Sequence, residues 1–127
     1  MHDCIATYFN AWATQNSMLC AEIFSPTAKY IVKPFEEEYH GIDKIIEYWN
    51  TNPVKQINPN PVIIECFSNS DKTKWFCEFE NKFYTVCDNQ QIKITKGMIL
   101  FIIDPAINKI KELREFYRSR VVSSLTI

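Results

Sequence analysis

Hydrophobic positions recur along this chain with two different periods, one helical and one strand-like. Ile5, Tyr8, Phe9 and Trp12 fall at i, i+3, i+4 and i+7, the apolar stripe of an amphipathic helix, with Asp3, Thr7, Asn10 and Gln15 between or beside them. Asn16 and Ser17 offer N-cap chemistry for a second short helix, Met18 to Phe24. Ser25-Pro26 should stop that helix, because proline cannot continue a helix interior. The β-formers in Ala28 to Lys33 predict a strand closed by Pro34, and Glu36-Glu37-Glu38 reads as a solvated acidic loop. Gly41 opens a third helix, where Ile42, Ile45, Ile46 and Trp49 repeat the stripe up to a stop at Asn52-Pro53. Pro59-Asn60-Pro61 reads as a stiff extended connector, since each proline pushes its predecessor toward extended geometry.

From Val62 onward the period is two. Val62 to Ser68 predicts a strand, and Asn69-Ser70-Asp71-Lys72 a turn. In Thr73 to Cys87, Trp75, Cys77, Phe79, Asn81 and Phe83 share one parity while Glu78, Glu80 and Lys82 share the other, so one face is buried and one wet. Asp88-Asn89-Gln90 turns the chain into a strand over Ile92 to Ile103, with Gly97 a bulge or bend point. Asp104-Pro105 breaks it, and Ile110 to Tyr117 forms the last strand. Helices first and a meander last predict an α+β fold: three N-terminal helices laid over one side of a curved antiparallel sheet, in a single domain spanning residues 1–127.

Composition narrows the function. Nine Phe, six Tyr and three Trp suffice to build a core or to line an apolar pocket. A net charge of −1 without a basic run gives no footprint for nucleic acid. The longest greasy stretch, Met98 to Ile103, is far short of the roughly 18 residues of a membrane helix, and the first residues lack a basic-then-apolar targeting pattern. A cytoplasmic protein is the resulting expectation. Five cysteines without a CxxC pair read as reduced, core-filling thiols, and no metal site is expected, with His2 and His40 far apart. Gly41 and Gly97 are the only glycines, which leaves no phosphate-binding loop.

The element order resembles the SnoaL-like branch of the nuclear transport factor two-like superfamily, and four segments carry the likeness. They are Tyr8-Phe9-Asn10-Ala11-Trp12 in the opening helix, Ala28-Lys29-Tyr30 in the first strand, Tyr39 to Trp49 around the Gly-started helix, and the terminal strand Ile110 to Tyr117. The resemblance covers Ile5 to about Arg118 and implies a cone whose sheet and helices enclose an apolar pocket, often paired into a homodimer through the sheet. It implies a small apolar or carbonyl-containing ligand. It also leaves two classes of function open, a cofactor-independent acid–base enzyme of isomerase, cyclase or dehydratase type, or a non-catalytic binding or assembly module.

The resemblance also implies where chemistry would sit. In the cyclase relatives an acid near the end of the last strand serves as general acid/base, and Glu115 is the nearest match. The family often carries Asp after the aromatic pair, whereas Arg118 follows Phe116-Tyr117 here. Glu112 is a second candidate acid, with Arg114 placed to hold an oxyanion. Alternation puts Glu112 and Arg114 on one face of the strand and Glu115 on the other, so only one set can face a pocket. His40 precedes the Gly41 helix, where a histidine could act as a base near neutral pH or merely edge the rim. Tyr8, Trp12, Tyr30 and Trp49 are the expected cavity-lining residues, each equally suited to core packing.

Overall fold

The computed structural model describes residues 1–51, 56–85 and 91–123. Helix α1 (Asp3–Thr14) is followed by a 3-10 turn at Ser17–Leu19 and a single-turn helix α2 (Cys20–Ile23). Strand β1 (Phe24–Lys33) turns back into β2 (Glu37–His40), and α3 covers Ile42–Thr51. Four long strands complete the chain: β3 (Ile57–Ser68), β4 (Lys74–Tyr84), β5 (Gln91–Asp104) and β6 (Lys109–Ser123). They form one mixed sheet in the order β2-β1-β6-β5-β4-β3, in which only β1 and β6 run parallel. The architecture is the expected α+β cone, with an open sheet and helices against one face.

The helical stripes are buried as their spacing requires. Ile5 is fully buried, and Tyr8, Phe9 and Trp12 are nearly so. On α3, Ile45 and Trp49 are buried, while Ile42 and Ile46 pack against the core from its margin. Each fully buried aliphatic contributes roughly 1.5–3 kcal/mol. Tyr8 is the hub of an edge-to-face aromatic cluster, its ring centroid 5.2 Å from Phe101, 5.3 Å from Phe9 and 5.5 Å from Trp49. Gln15, in the left-handed region at φ 55°, ends α1 by turning its N–H back to the carbonyls of Ala11 and Trp12. Asn16 then caps the 3-10 turn by accepting from the Met18 N–H at 3.2 Å.

Several boundaries differ from the sequence expectation. The second helix stops at Ile23, and Ser25 and Pro26 lie inside β1 rather than ending a helix at Phe24. Pairing of β1 with β6 jumps from Phe24 to Lys29, so the missing proline N–H falls where that ladder is already interrupted. Glu37 and Glu38 belong to an added strand, β2, which pairs with Lys33 and Ile31 instead of forming a free loop. The strand expected from Val62 begins at Ile57, with Pro59 and Pro61 inside it. This is tolerable because β3 is a sheet edge, and the Asn60 N–H is taken up by the Asn81 side chain at 2.9 Å. The last strand continues past Tyr117 to Ser123. The helix stop at Asn52-Pro53, the turn at Asp88-Asn89-Gln90 and the strand end at Cys87 lie outside the described residues.

Gly97 is not a bulge. Its pairing with Phe79 and Tyr117 is continuous, and the irregularity of the β5–β6 ladder falls between Ile102 and Ile103. What glycine permits there is close approach. A Cβ at position 97 would lie 2.7 Å and 2.8 Å from the Cα and Cβ of Tyr117, and would collide with the Phe116 carbonyl oxygen.

Candidate functional site

A cavity of about 410 Å³ lies between the helices and the inner sheet face. Alternation along β6 decides what enters it. Leu113, Glu115, Tyr117 and Ser119 share a parity, so Leu113 is buried in the core while the other three border the cavity. α1 contributes Tyr8 and Trp12, β1 contributes Tyr30, and α3 contributes Tyr48 and Trp49. Tyr8, Tyr30 and Trp49 are each only 1% exposed, so the cavity wall and the core are the same side chains.

Glu115 is held by two phenols. Tyr30 donates to its Oε1 at 2.7 Å and Tyr8 donates to the same oxygen at 2.8 Å, while the two phenol oxygens stand 3.0 Å apart. With an ionised carboxylate, the two phenol protons fill the two shorter edges of this triangle, and the longest edge carries none. Oε2 has no hydrogen-bond partner among the described residues, and Glu115 borders the cavity, so Oε2 is the atom left for a bound molecule. Burial raises the Glu115 pKa above its ordinary 4.5; the hydrogen bonds from Tyr30 and Tyr8 work against that rise, and the distant charge of Glu37 adds to it. Burial and the Glu115 charge push Tyr8 and Tyr30 well above the usual phenol value, so both remain proton donors at working pH.

A second polar cluster borders the cavity. Trp12 Nε1–H donates to Gln56 Oε1 at 2.8 Å, and the fully buried Asn81 donates to the same oxygen at 3.0 Å. Thr95 and Ser119, opposite each other on β5 and β6, are 2.8 Å apart through their hydroxyls at the other end of the cavity. Trp49 Nε1–H is buried without a partner among the described residues. A buried unpaired donor costs roughly 1–3 kcal/mol until an acceptor reaches it.

The structure brings together five of the eight residues singled out in the sequence: Glu115, Tyr8, Trp12, Tyr30 and Trp49. The other three stand elsewhere. Glu112 and Arg114, on the opposite parity of β6, pair with each other at 2.5 Å and turn away from the cavity. His40 ends β2 as an exposed side chain 3.7 Å from Glu38. Tyr48, Gln56, Thr95, Tyr117 and Ser119 were not anticipated as cavity residues. Of these, Tyr117 and Ser119 were legible, since they continue the parity of Glu115.

No family model matches this sequence, and no curated protein matches it. Solved structures do match. The chain is similar to SalBIII, an epoxide hydrolase/cyclase-like enzyme of pyran ring formation in the polyether salinomycin, with TM-score 0.80 and 17% identity over 94% of each chain. It is similar to the Δ5-3-ketosteroid isomerase of a Mycobacterium species, with TM-score 0.78 and 11% identity over 94% of this chain and 95% of that one. A protein of Shewanella denitrificans assigned as a SnoaL-like polyketide cyclase superposes with TM-score 0.76 and 12% identity, over 91% and 88% of the two chains. The fold is therefore the α+β cone that these cyclase-like and ketosteroid isomerase structures share. At these identities the likeness establishes the fold and leaves the chemistry to the site. Among the described residues, no helix is long and apolar enough to cross a membrane.

Proposed function

We propose that the cavity binds a small, largely apolar molecule bearing a carbonyl group, and that Glu115 moves a proton on it without a cofactor. The observation that carries this reading is the carboxyl of Glu115, desolvated, anchored through Oε1 by Tyr8 and Tyr30, and open to the cavity through Oε2. A base held in that way approaches the bound molecule along one direction, and burial raises its pKa above the ordinary carboxyl value, which strengthens it as a base. The volume suits a molecule of this kind, since small-ligand sites run from roughly 300 to 1,000 Å³. A fold of the same class serves the ketosteroid isomerase named above, which makes carbonyl compounds the first chemistry to try.

The test is a thermal-shift screen with matched probes: a polycyclic enone, an aromatic ketone, and hydrocarbons of the same shape lacking oxygen. At about 100 times its Kd, a ligand stabilises the fold by roughly 2.7 kcal/mol, which the midpoint reports as a rise of several degrees. A rise with the carbonyl probes that the hydrocarbons do not match is the expected result. Equal shifts would show a pocket that recognises shape alone, and the acid–base reading would fall.

A second reading, assembly through the outer sheet face, rests on its own observation. That face exposes Phe67, Phe76, Met98 and Phe116, between 37% and 53%. Glu65 and Glu78 stand directly opposite each other there, a repulsive like-charge pair, while Arg118 and Arg120 lie across the sheet on β6. A two-fold partner would lay its basic half on this acidic half. We therefore expect a homodimer in solution by light scattering, and Phe116→Arg should convert it to monomers. A wild-type protein that is monomeric at micromolar concentration would exclude this interface.

A further inference from the structure

Cys66 on β3 and Cys77 on β4 are direct cross-strand partners. Both belong to the inner face: Cys77 is fully buried, and the half-buried Cys66 packs against the core beside it. The Cys66 thiol is near enough to raise the Cys77 pKa. Side chains facing each other across an antiparallel pair have Cβ atoms roughly 4.5–5.5 Å apart, whereas a disulfide holds them at roughly 3.5–4.5 Å. Closing the bond thus requires on the order of 1 Å of approach, at a sheet edge where β3 has a neighbour on only one side. The other described thiols are placed differently. Cys4 donates to the Asn108 carbonyl at 3.4 Å, and Cys20 is fully buried, its thiol pushed up to about 12 by burial.

We propose that Cys66 and Cys77 are a modification site, a dithiol that low-molecular-weight disulfides of the glutathione class convert to a cross-strand disulfide. The half-buried Cys66, as thiolate, attacks one sulfur of the oxidant, forming a mixed disulfide and expelling one small thiolate. Cys77 then loses its proton to solvent and attacks Cys66 Sγ, expelling the second small thiol. Two protein thiols and one small disulfide become one protein disulfide and two small thiols. The roles follow from exposure: of the two, Cys66 is the one that can meet a reagent from solvent, and Cys77 is its direct cross-strand neighbour, placed to attack the mixed disulfide. Burial holds the Cys77 pKa high, so its attack is the slow, alkali-accelerated step. The pair belongs to the inner-face row Cys66, Cys77, Ile99, Glu115. The bond would therefore form in the same sheet that carries the cavity acid.

The test uses the full chain incubated with oxidised glutathione, followed by intact mass and tryptic mapping. Cleavage at Lys72 and Lys74 separates the two cysteines, so a bond between them leaves two peptides joined. The expected result is a loss of two hydrogen masses, one joined peptide pair holding Cys66 and Cys77, and an unfolding midpoint several degrees higher. Cys77→Ala should stop at a single glutathione on Cys66, and Cys66→Ala, a change at a half-buried site, should neither gain glutathione there nor lose the hydrogens. Glutathione that persists on wild-type Cys66 would overturn the proposal, as would a joined pair involving any other cysteine or no reaction at Cys66.

Discussion

Glu115→Gln is expected to lower turnover of a carbonyl substrate by about 10²–10⁴, the usual contribution of a general acid or base. The substitution keeps the shape and keeps an oxygen that can accept from Tyr8 and Tyr30, so the hydrogen-bonded triangle survives while the proton-transfer group is removed. Binding of a carbonyl probe should persist within a few-fold, separating loss of chemistry from loss of the cavity. Retained turnover in the Gln variant would remove Glu115 from the mechanism. A second readout is independent of any substrate. Because the folded-state pKa lies above 4.5, the folded chain holds this proton to a higher pH than the unfolded chain does. Stability contributed by Glu115 is therefore present at low pH, falls as pH rises from 4.5 through the folded-state value, and then levels. Denaturant titrations across that window should show a downward slope in the wild type that is shallower in Glu115→Gln. An equal slope in both proteins would mean that the carboxyl is ordinarily solvated.

Gly97→Ala should be the most destabilising small substitution in the sheet. A Cβ at this position meets backbone rather than a movable side-chain end, namely the Phe116 carbonyl and the Tyr117 Cα at 2.7 Å. Ordinary overpacking costs roughly 1–3 kcal/mol because side chains can move aside, and here β6 itself must retreat from β5. We expect at least about 3 kcal/mol, near 10 °C in the unfolding midpoint. Tyr117 lines the cavity, so any ligand that stabilises the wild type should stabilise the variant less. A midpoint within a degree or two of the wild type would show that the strands have slack at this point.

These two positions also show what sequence reasoning can and cannot reach. Glu115 was accessible because side chains alternate along a strand: once the last strand is recognised, Glu115 must oppose Glu112 and Arg114. Which of the two faces looks into the cavity was not accessible, since both carry charged residues and the answer depends on where α1 and β1 place Tyr8 and Tyr30. Gly97 reads in the sequence as a bulge, but the reason for it is close approach. A bulge is a local event, whereas a close approach involves a residue 20 positions away, Tyr117. The added strand β2 was missed because Glu37 and Glu38 have little strand propensity, and pairing with β1 supplies the hydrogen bonds that propensity does not.

Periodicity and order by themselves determined the two long helices, β4 and β5 nearly in full, about half of β1, β3 and β6, and the α+β class. These follow from interactions that recur every two or every three to four residues, so neighbouring side chains encode them. The tertiary structure alone decided that β1 runs parallel to β6, that prolines 59 and 61 can lie inside an edge strand, and that Tyr8, Tyr30 and Glu115 converge on one oxygen. Those three residues come from a helix, the first strand and the last, up to 107 positions apart in the chain. No local pattern relates them. Only the burial of the helix stripes against the inner face of the sheet brings their polar atoms within hydrogen-bonding distance.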